Sequence, residues 1–165
     1  MNQVTLDNIR TMAEAAAGQI DRIFLHWSAG HYGQFFEDYH INIDYDGSIY
    51  VSTEDLTEVK AHTWHQNTGA VGVAMACAYQ ATTNNLGPEP PTPAQLQSMA
   101  QVVKALCNGL GLPVNYEHVR THAEQADIDG YGPATTCERW DGWFWSAGDT
   151  PGSGGERIRQ MAKNA

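Results

Sequence analysis

The sequence predicts a mixed α/β fold, a single domain whose central mixed β-sheet is flanked by α-helices. Three observations lead there. Short apolar runs at 23–25 and 71–79 suit strands covered on both faces. Residues 39–52 alternate apolar and polar positions around an Asp-Gly pair, the pattern of a hairpin. Two stretches, 6–20 and 96–110, repeat their apolar residues at helical spacing.

Taken in order, Leu6, Ile9, Met12, Ala13, Ala16 and Ile20 predict an opening helix over 5–20. Ile23, Phe24 and Leu25 predict a buried strand that closes at His26. In the hairpin, Ile41, Ile43 and Tyr45 alternate, Asp46-Gly47 turns the chain, and Ile49 and Val51 resume. Residues 71–79 form a further strand, and the Asn-, Gly- and Pro-rich stretch from Thr83 to Pro93 is a loop. A long helix follows. Thr92 caps it, Pro93 fits its first position, Leu96, Met99, Val103, Leu106 and Leu110 make its stripe, and Gly109 or Gly111 ends it. Val114 to His122 holds a last short strand. From Gly130 the chain reads as loop, with a short helix near 156–163 inside a flexible tail, 146–165. The core is expected over 22–144.

A chain of 165 residues suffices for one domain, 1–165, with a sizeable core. The net charge of −10 opposes binding to nucleic acid through a basic face, and opposes stable association with anionic membranes. No apolar run approaches the roughly 20 residues of a membrane span. Met1 to Arg22 lacks a basic start followed by an apolar stretch, so no secretory signal is expected and the chain is expected in the cytoplasm. Three cysteines at wide spacing give no disulfide framework; Cys77 and Cys107 stand in apolar contexts and read as core residues.

Histidine carries the chemical signal. His26 closes one strand and His122 closes another, so two imidazoles can face one cleft at the strand ends. Zinc favours such nitrogen ligands, and a catalytic site uses three protein ligands plus water. The third would lie in the loop after His122, where Asp141 and Cys137 are both candidates. His31 and His65 read as exposed loop residues, His118 as a strand-edge residue, and His40 as pointing away from the face of Ile41. His62 is either a loop residue or part of a cleft.

Five segments, in order, resemble the zinc amidases of the phage-lysozyme and peptidoglycan-recognition-protein superfamily, the type 2 amidases. They are Ile23 to Ala29, Tyr39 to Tyr50, Lys60 to Val73, Thr92 to Gln97, and Arg120 to Glu124, within a likeness covering 22–144. The resemblance implies zinc at His26 and His122. It favours Asp141 over Cys137 as third ligand, because Arg139-Trp140-Asp141 matches the family's basic-x-acid pattern. It also implies a catalytic role for Tyr39. The family's alternative glutamate falls near Ala74 and is missing here, so the chain is closer to the phage branch. Arg139 stands where lysine is common and suits electrostatic stabilisation of an oxyanion. His62, Asn67 and Trp64 are expected to touch substrate, and Trp27 and Trp140 also offer aromatic faces beside the site.

The activity so implied is hydrolysis of the amide between N-acetylmuramic acid and L-alanine in peptidoglycan. A monomeric phage or prophage endolysin is expected, held in the cytoplasm until released to the cell wall or periplasm. Two other readings share these residues: a peptidoglycan-binding module without catalysis, and a zinc peptidase cutting within the stem peptide.

Overall fold

The computed structural model describes residues 1–165. Its elements, in chain order, are β1 (Asn2–Val4), α1 (Leu6–Ala16), β2 (Arg22–Trp27), β3 (Ile41–Ile43), β4 (Ile49–Val51), β5 (Ala70–Met75), α2 (Pro93–Leu110), β6 (Val119–Thr121), α3 (His122–Asp129) and α4 (Gly154–Lys163). The six strands form one mixed sheet in the order β1-β4-β3-β5-β2-β6. β2 runs parallel to both β5 and β6, and β3 is parallel to β5; β4 is antiparallel to β3 and β1.

Strand alternation divides the sheet into two chemically different faces. Ile23, Leu25 and Trp27 of β2, Val71, Val73 and Met75 of β5, and Ile41 and Ile43 of β3 all join the hydrophobic core. That core also takes Ile9 of α1, Met99, Val103 and Leu106 of α2, and Ile158 of α4. The intervening positions carry Phe24 and His26 on β2 opposite Gly72 and Ala74 on β5. On β5 the core face carries Val71, Val73 and Met75 while the other face has only Gly72 and Ala74, which leaves room above them. The ring of His62 fills part of it, since a Cβ on Gly72 would come within 2.6 Å of that ring.

Capping explains several boundaries. Thr92 and Gln95 form a reciprocal capping box, Pro93 takes the first turn, and Gly111 ends α2 in the left-handed region at φ 72°. The opening helix stops at Ala16, short of the expected residue 20; Gly18 turns the chain at φ 86°, and Ile20 is buried from an extended segment. Tyr45 lies in the turn, 52% exposed, rather than on the alternating face of the hairpin. The predicted strand at 71–79 is regular only to Met75.

Two elements went unread in the sequence. β1 is a three-residue edge strand with no apolar alternation, and only its pairing with β4 defines it. α3 begins where the sequence reading had the last strand end: the Thr121 hydroxyl accepts the Glu124 N–H at 3.1 Å, and the Glu124 carboxylate accepts the Thr121 N–H at 2.9 Å. His122 is therefore the first residue of a helix, not the last of a strand. The expected tail is also part of the packed body. Ile158 and Ala162 are fully buried, and Arg159 forms a paired ion bridge with Glu124 at 2.9 Å. No helix is long and apolar enough to cross a membrane.

Candidate metal centre and cleft

His26 lies near the end of β2, on the face opposite Ile23, Leu25 and Trp27, and is wholly buried. His122 is set beside it by the β2–β6 pairing and the Thr121 cap. Asp141 arrives on the loop after α3, and its carbonyl accepts the Ala123 N–H at 3.0 Å. The three side chains converge. His26 Nδ1 is 3.2 Å from His122 Nδ1 and 2.9 Å from Asp141 Oδ2, and His122 Nδ1 is 3.1 Å from Asp141 Oδ1. These three residues form the one His/Cys/Asp/Glu group in the molecule with donor atoms close enough to share a metal ion.

The donor set fits zinc. Bonds of about 2.0–2.1 Å in a tetrahedron put neighbouring donors about 3.3 Å apart, close to the spacing here. Two imidazole nitrogens and one carboxylate oxygen suit its intermediate softness, and three protein donors leave a fourth position for chemistry. Burial lowers the pKa of His26, against the raising effect of Asp141, which favours the neutral form of the ring that a metal needs. Burial opposes ionisation of Asp141, but the charges and hydrogen bonds of His122 and His26 prevail, holding its carboxyl well below the usual range.

The outward nitrogens have partners too. His122 Nε2 lies 3.2 Å from the Tyr131 hydroxyl, and His26 Nε2 lies 3.4 Å from the Thr63 hydroxyl. With a metal on Nδ1 the proton of each ring would sit on Nε2, where these hydroxyl oxygens can accept it. Neither Thr63 nor Tyr131 stood out in the sequence, because an isolated hydroxyl carries no spacing signal.

A cleft of about 370 Å³ opens over the group. Tyr39, Arg139, His122, Asp141, His62 and Trp140 are among its lining residues. The Tyr39 ring stands 5.0 Å from that of His26, and burial first, then Asp141 and Asp38, raises its hydroxyl pKa, so it remains a neutral donor. Arg139 is exposed and forms no ion pair. His62 is buried with its Nδ1 2.9 Å from Thr63 and no partner on Nε2. Burial, then the neighbouring His26, His40 and His122, pulls its pKa down to about 2.

Other expected residues lie elsewhere. Asn67 does not line the cleft; its side-chain Oδ1 accepts the N–H groups of His62 and Thr63 and so fixes the loop that carries His62. Trp64 is 58% exposed outside the cleft, stacked on His65 at 3.8 Å. Trp27 reaches the cleft but packs edge-on against Trp145 in the core. Cys137 is half-buried in a left-handed turn, φ 58°, and stands outside the metal group.

A model of the family "N-acetylmuramoyl-L-alanine amidase" matches residues 13–140 and ends one residue short of Asp141. Among solved structures, the Ph2119 endolysin from Thermus scotoductus MAT2119 bacteriophage Ph2119 is similar at 16% identity and a TM-score of 0.50, over 66% of this chain and 74% of that one. The ectodomain complex of peptidoglycan recognition proteins LCa and LCx bound to tracheal cytotoxin is similar at 15% identity and a TM-score of 0.50, over 75% and 84%. The N-acetylmuramoyl-L-alanine amidase LysC from Clostridium intestinale URNW gives 20% identity and a TM-score of 0.47, over 64% and 72%. The first two share the fold. No curated protein matches the chain. With most of its length under the family model, the chain belongs to the N-acetylmuramoyl-L-alanine amidase family.

Proposed function

We propose that this chain is a zinc-dependent hydrolase of the amide bond between N-acetylmuramic acid and L-alanine in peptidoglycan. One observation carries the reading: His26, His122 and Asp141 bring three donor atoms within 4.8 Å of one another beside a cleft that holds a tyrosine and an arginine. Family membership supplies the substrate class.

In this reading His26 Nδ1, His122 Nδ1 and Asp141 hold zinc. Zinc in such a site supplies Lewis acidity, bringing the pKa of water near 7 and polarising a carbonyl. Tyr39 is a neutral hydroxyl at the cleft wall and donates a hydrogen bond to the reacting groups. Arg139 cannot act as an acid near neutral pH, and its fixed charge stabilises negative charge on the carbonyl oxygen of the tetrahedral stage. His62 lines the cleft with an unpartnered Nε2 and contacts the substrate. Trp64 and Asn67 lie outside that wall; the part left to Asn67 is to support the His62 loop.

The biological setting we favour is a phage or prophage endolysin acting on the wall as a monomer, in keeping with the fold shared with the Ph2119 endolysin. A non-catalytic binding module would have no use for the third donor, Asp141. The deciding experiment incubates the purified protein with peptidoglycan, with and without a zinc chelator, and weighs the released fragments. Free stem peptides beginning at L-alanine, lost on chelation and restored by zinc, are expected. Fragments cut within the stem would transfer the activity to a peptidase, and no release from zinc-loaded protein would leave a binding module.

A further inference from the structure

Tyr131 belongs to the stretch after Gly130 that the sequence presents as plain loop. Gly130 ends α3 at φ 90°, and the Tyr131 N–H closes the turn on the Ala126 carbonyl at 2.9 Å. A non-glycine residue would strain that left-handed position. From there Tyr131 makes contacts in two directions. Its hydroxyl lies 3.2 Å from His122 Nε2, with the rings edge to face at 5.9 Å. Its carbonyl accepts the N–H groups of Glu138 at 3.0 Å and Arg139 at 3.2 Å, at the root of the segment leading to Asp141.

We infer that Tyr131 is the positioning residue of the metal centre: its hydroxyl fixes the His122 ring while its carbonyl fixes the Arg139–Asp141 segment. The inference rests on the zinc reading above and adds a residue to it. The hydroxyl role follows from proton bookkeeping. When Nδ1 of His122 is a ligand, its proton must sit on Nε2, in a part-buried place where an unmatched N–H is costly. The Tyr131 oxygen is the acceptor in reach. A phenol keeps its own proton near neutral pH, so its oxygen remains a neutral acceptor.

The loop between the two anchors is itself pinned. Gly132 O accepts the N–H groups of Thr135 at 2.9 Å and Cys137 at 2.8 Å, and Asp127 accepts that of Ala134 at 2.7 Å. Tyr131→Phe therefore removes the hydroxyl while the ring, the backbone bonds and this loop remain.

The test compares wild type and Tyr131→Phe by zinc titration against a competing chelator, by the absorption spectrum of the cobalt-loaded proteins, and by nitrogen NMR of His122 in the metal-free proteins. Thermal unfolding without metal is the control. Removing an outer partner of a metal histidine weakens binding about 10–100-fold. That loss is expected, with an altered cobalt spectrum, a changed His122 tautomer ratio and an unchanged unfolding midpoint. Equal zinc affinity and an unchanged tautomer ratio would overturn the inference alone. Failure of Tyr131→Phe to fold would also overturn it, by making the residue one of general stability. If wild type itself takes up no zinc, the zinc reading falls and the inference with it.

Discussion

Asp141 Oδ2 lies 2.9 Å from His26 Nδ1, although the two residues are 115 positions apart in the chain. With His122 they form a compact donor set, and metal content is its direct readout. Wild type is expected to bind one zinc. His26→Ala, His122→Ala and Asp141→Ala should each lose more affinity than the roughly 100-fold ceiling of an outer-partner change. Cys137→Ser should bind as wild type, because that cysteine is outside the group. Metal analysis after dialysis checks all four, and zinc loss in Cys137→Ser would reinstate it as a ligand.

Tyr39→Phe separates catalysis from metal binding. The hydroxyl is near the metal group without being a donor in it. Turnover on peptidoglycan should fall about 100-fold, the scale of one positioned hydrogen-bond donor, with zinc stoichiometry intact. Unchanged turnover would remove Tyr39 from the chemistry.

Acid should destabilise the metal-free protein before the carboxylates titrate. His40 is buried; its Nδ1 accepts the Gly72 N–H at 3.0 Å and its Nε2 donates to the Glu58 carbonyl at 2.6 Å, so both nitrogens are committed in the neutral ring. Burial lowers its pKa, and that of His62 falls to about 2, against 6.5 in an unfolded chain. The unfolded state therefore takes up protons first. Stability is full above pH 6.5 and is lost as pH falls below it, by at most about 1.4 kcal/mol per pH unit for each histidine. The depressed Asp141 carboxyl adds its own loss only at lower pH. Urea midpoints across this range test the slope, and His40→Gln should reduce it.

Packing away from the cleft gives a stability prediction with no catalytic component. A Cβ on Gly109 would meet the Arg10 carbonyl oxygen at 2.5 Å and the Ala13 Cβ at 2.6 Å, where α2 crosses α1. Gly109→Ala should cost about 1–3 kcal/mol in denaturant unfolding. Activity per folded molecule should stay at the wild-type level.

Particular residues explain how much of this was legible beforehand. The strand at Ile23–Leu25, the hairpin and the Thr92 cap all have local causes, and local causes are written in adjacent residues. The start of α3 was equally local, as Thr121 and Glu124 spell a capping box, but the expected strand was carried through His122. β1 had no local cause and could be found only through β4. At the site, His26 and His122 stood out because each follows a buried strand. Asp141 needed the family pattern to separate it from Cys137, which the fold sets apart from the donor group. Trp64 and Asn67 sit near His62 in sequence, yet the loop turns one outward and uses the other as an internal brace. Thr63 and Tyr131 became visible only when the histidine nitrogens had coordinates.

The parallel pairing of β2 with β5 and β6 has a consequence for how the chain comes off the ribosome. Each parallel neighbour of β2 belongs to a distant stretch, so the centre of the sheet closes late, and folding dominated by such remote pairs is slow. A nascent chain that has not reached Asp141 can hold neither the complete donor set nor its cleft. Binding of a metal by all three donors thus becomes possible only once Asp141 has been made and brought to β2 and α3.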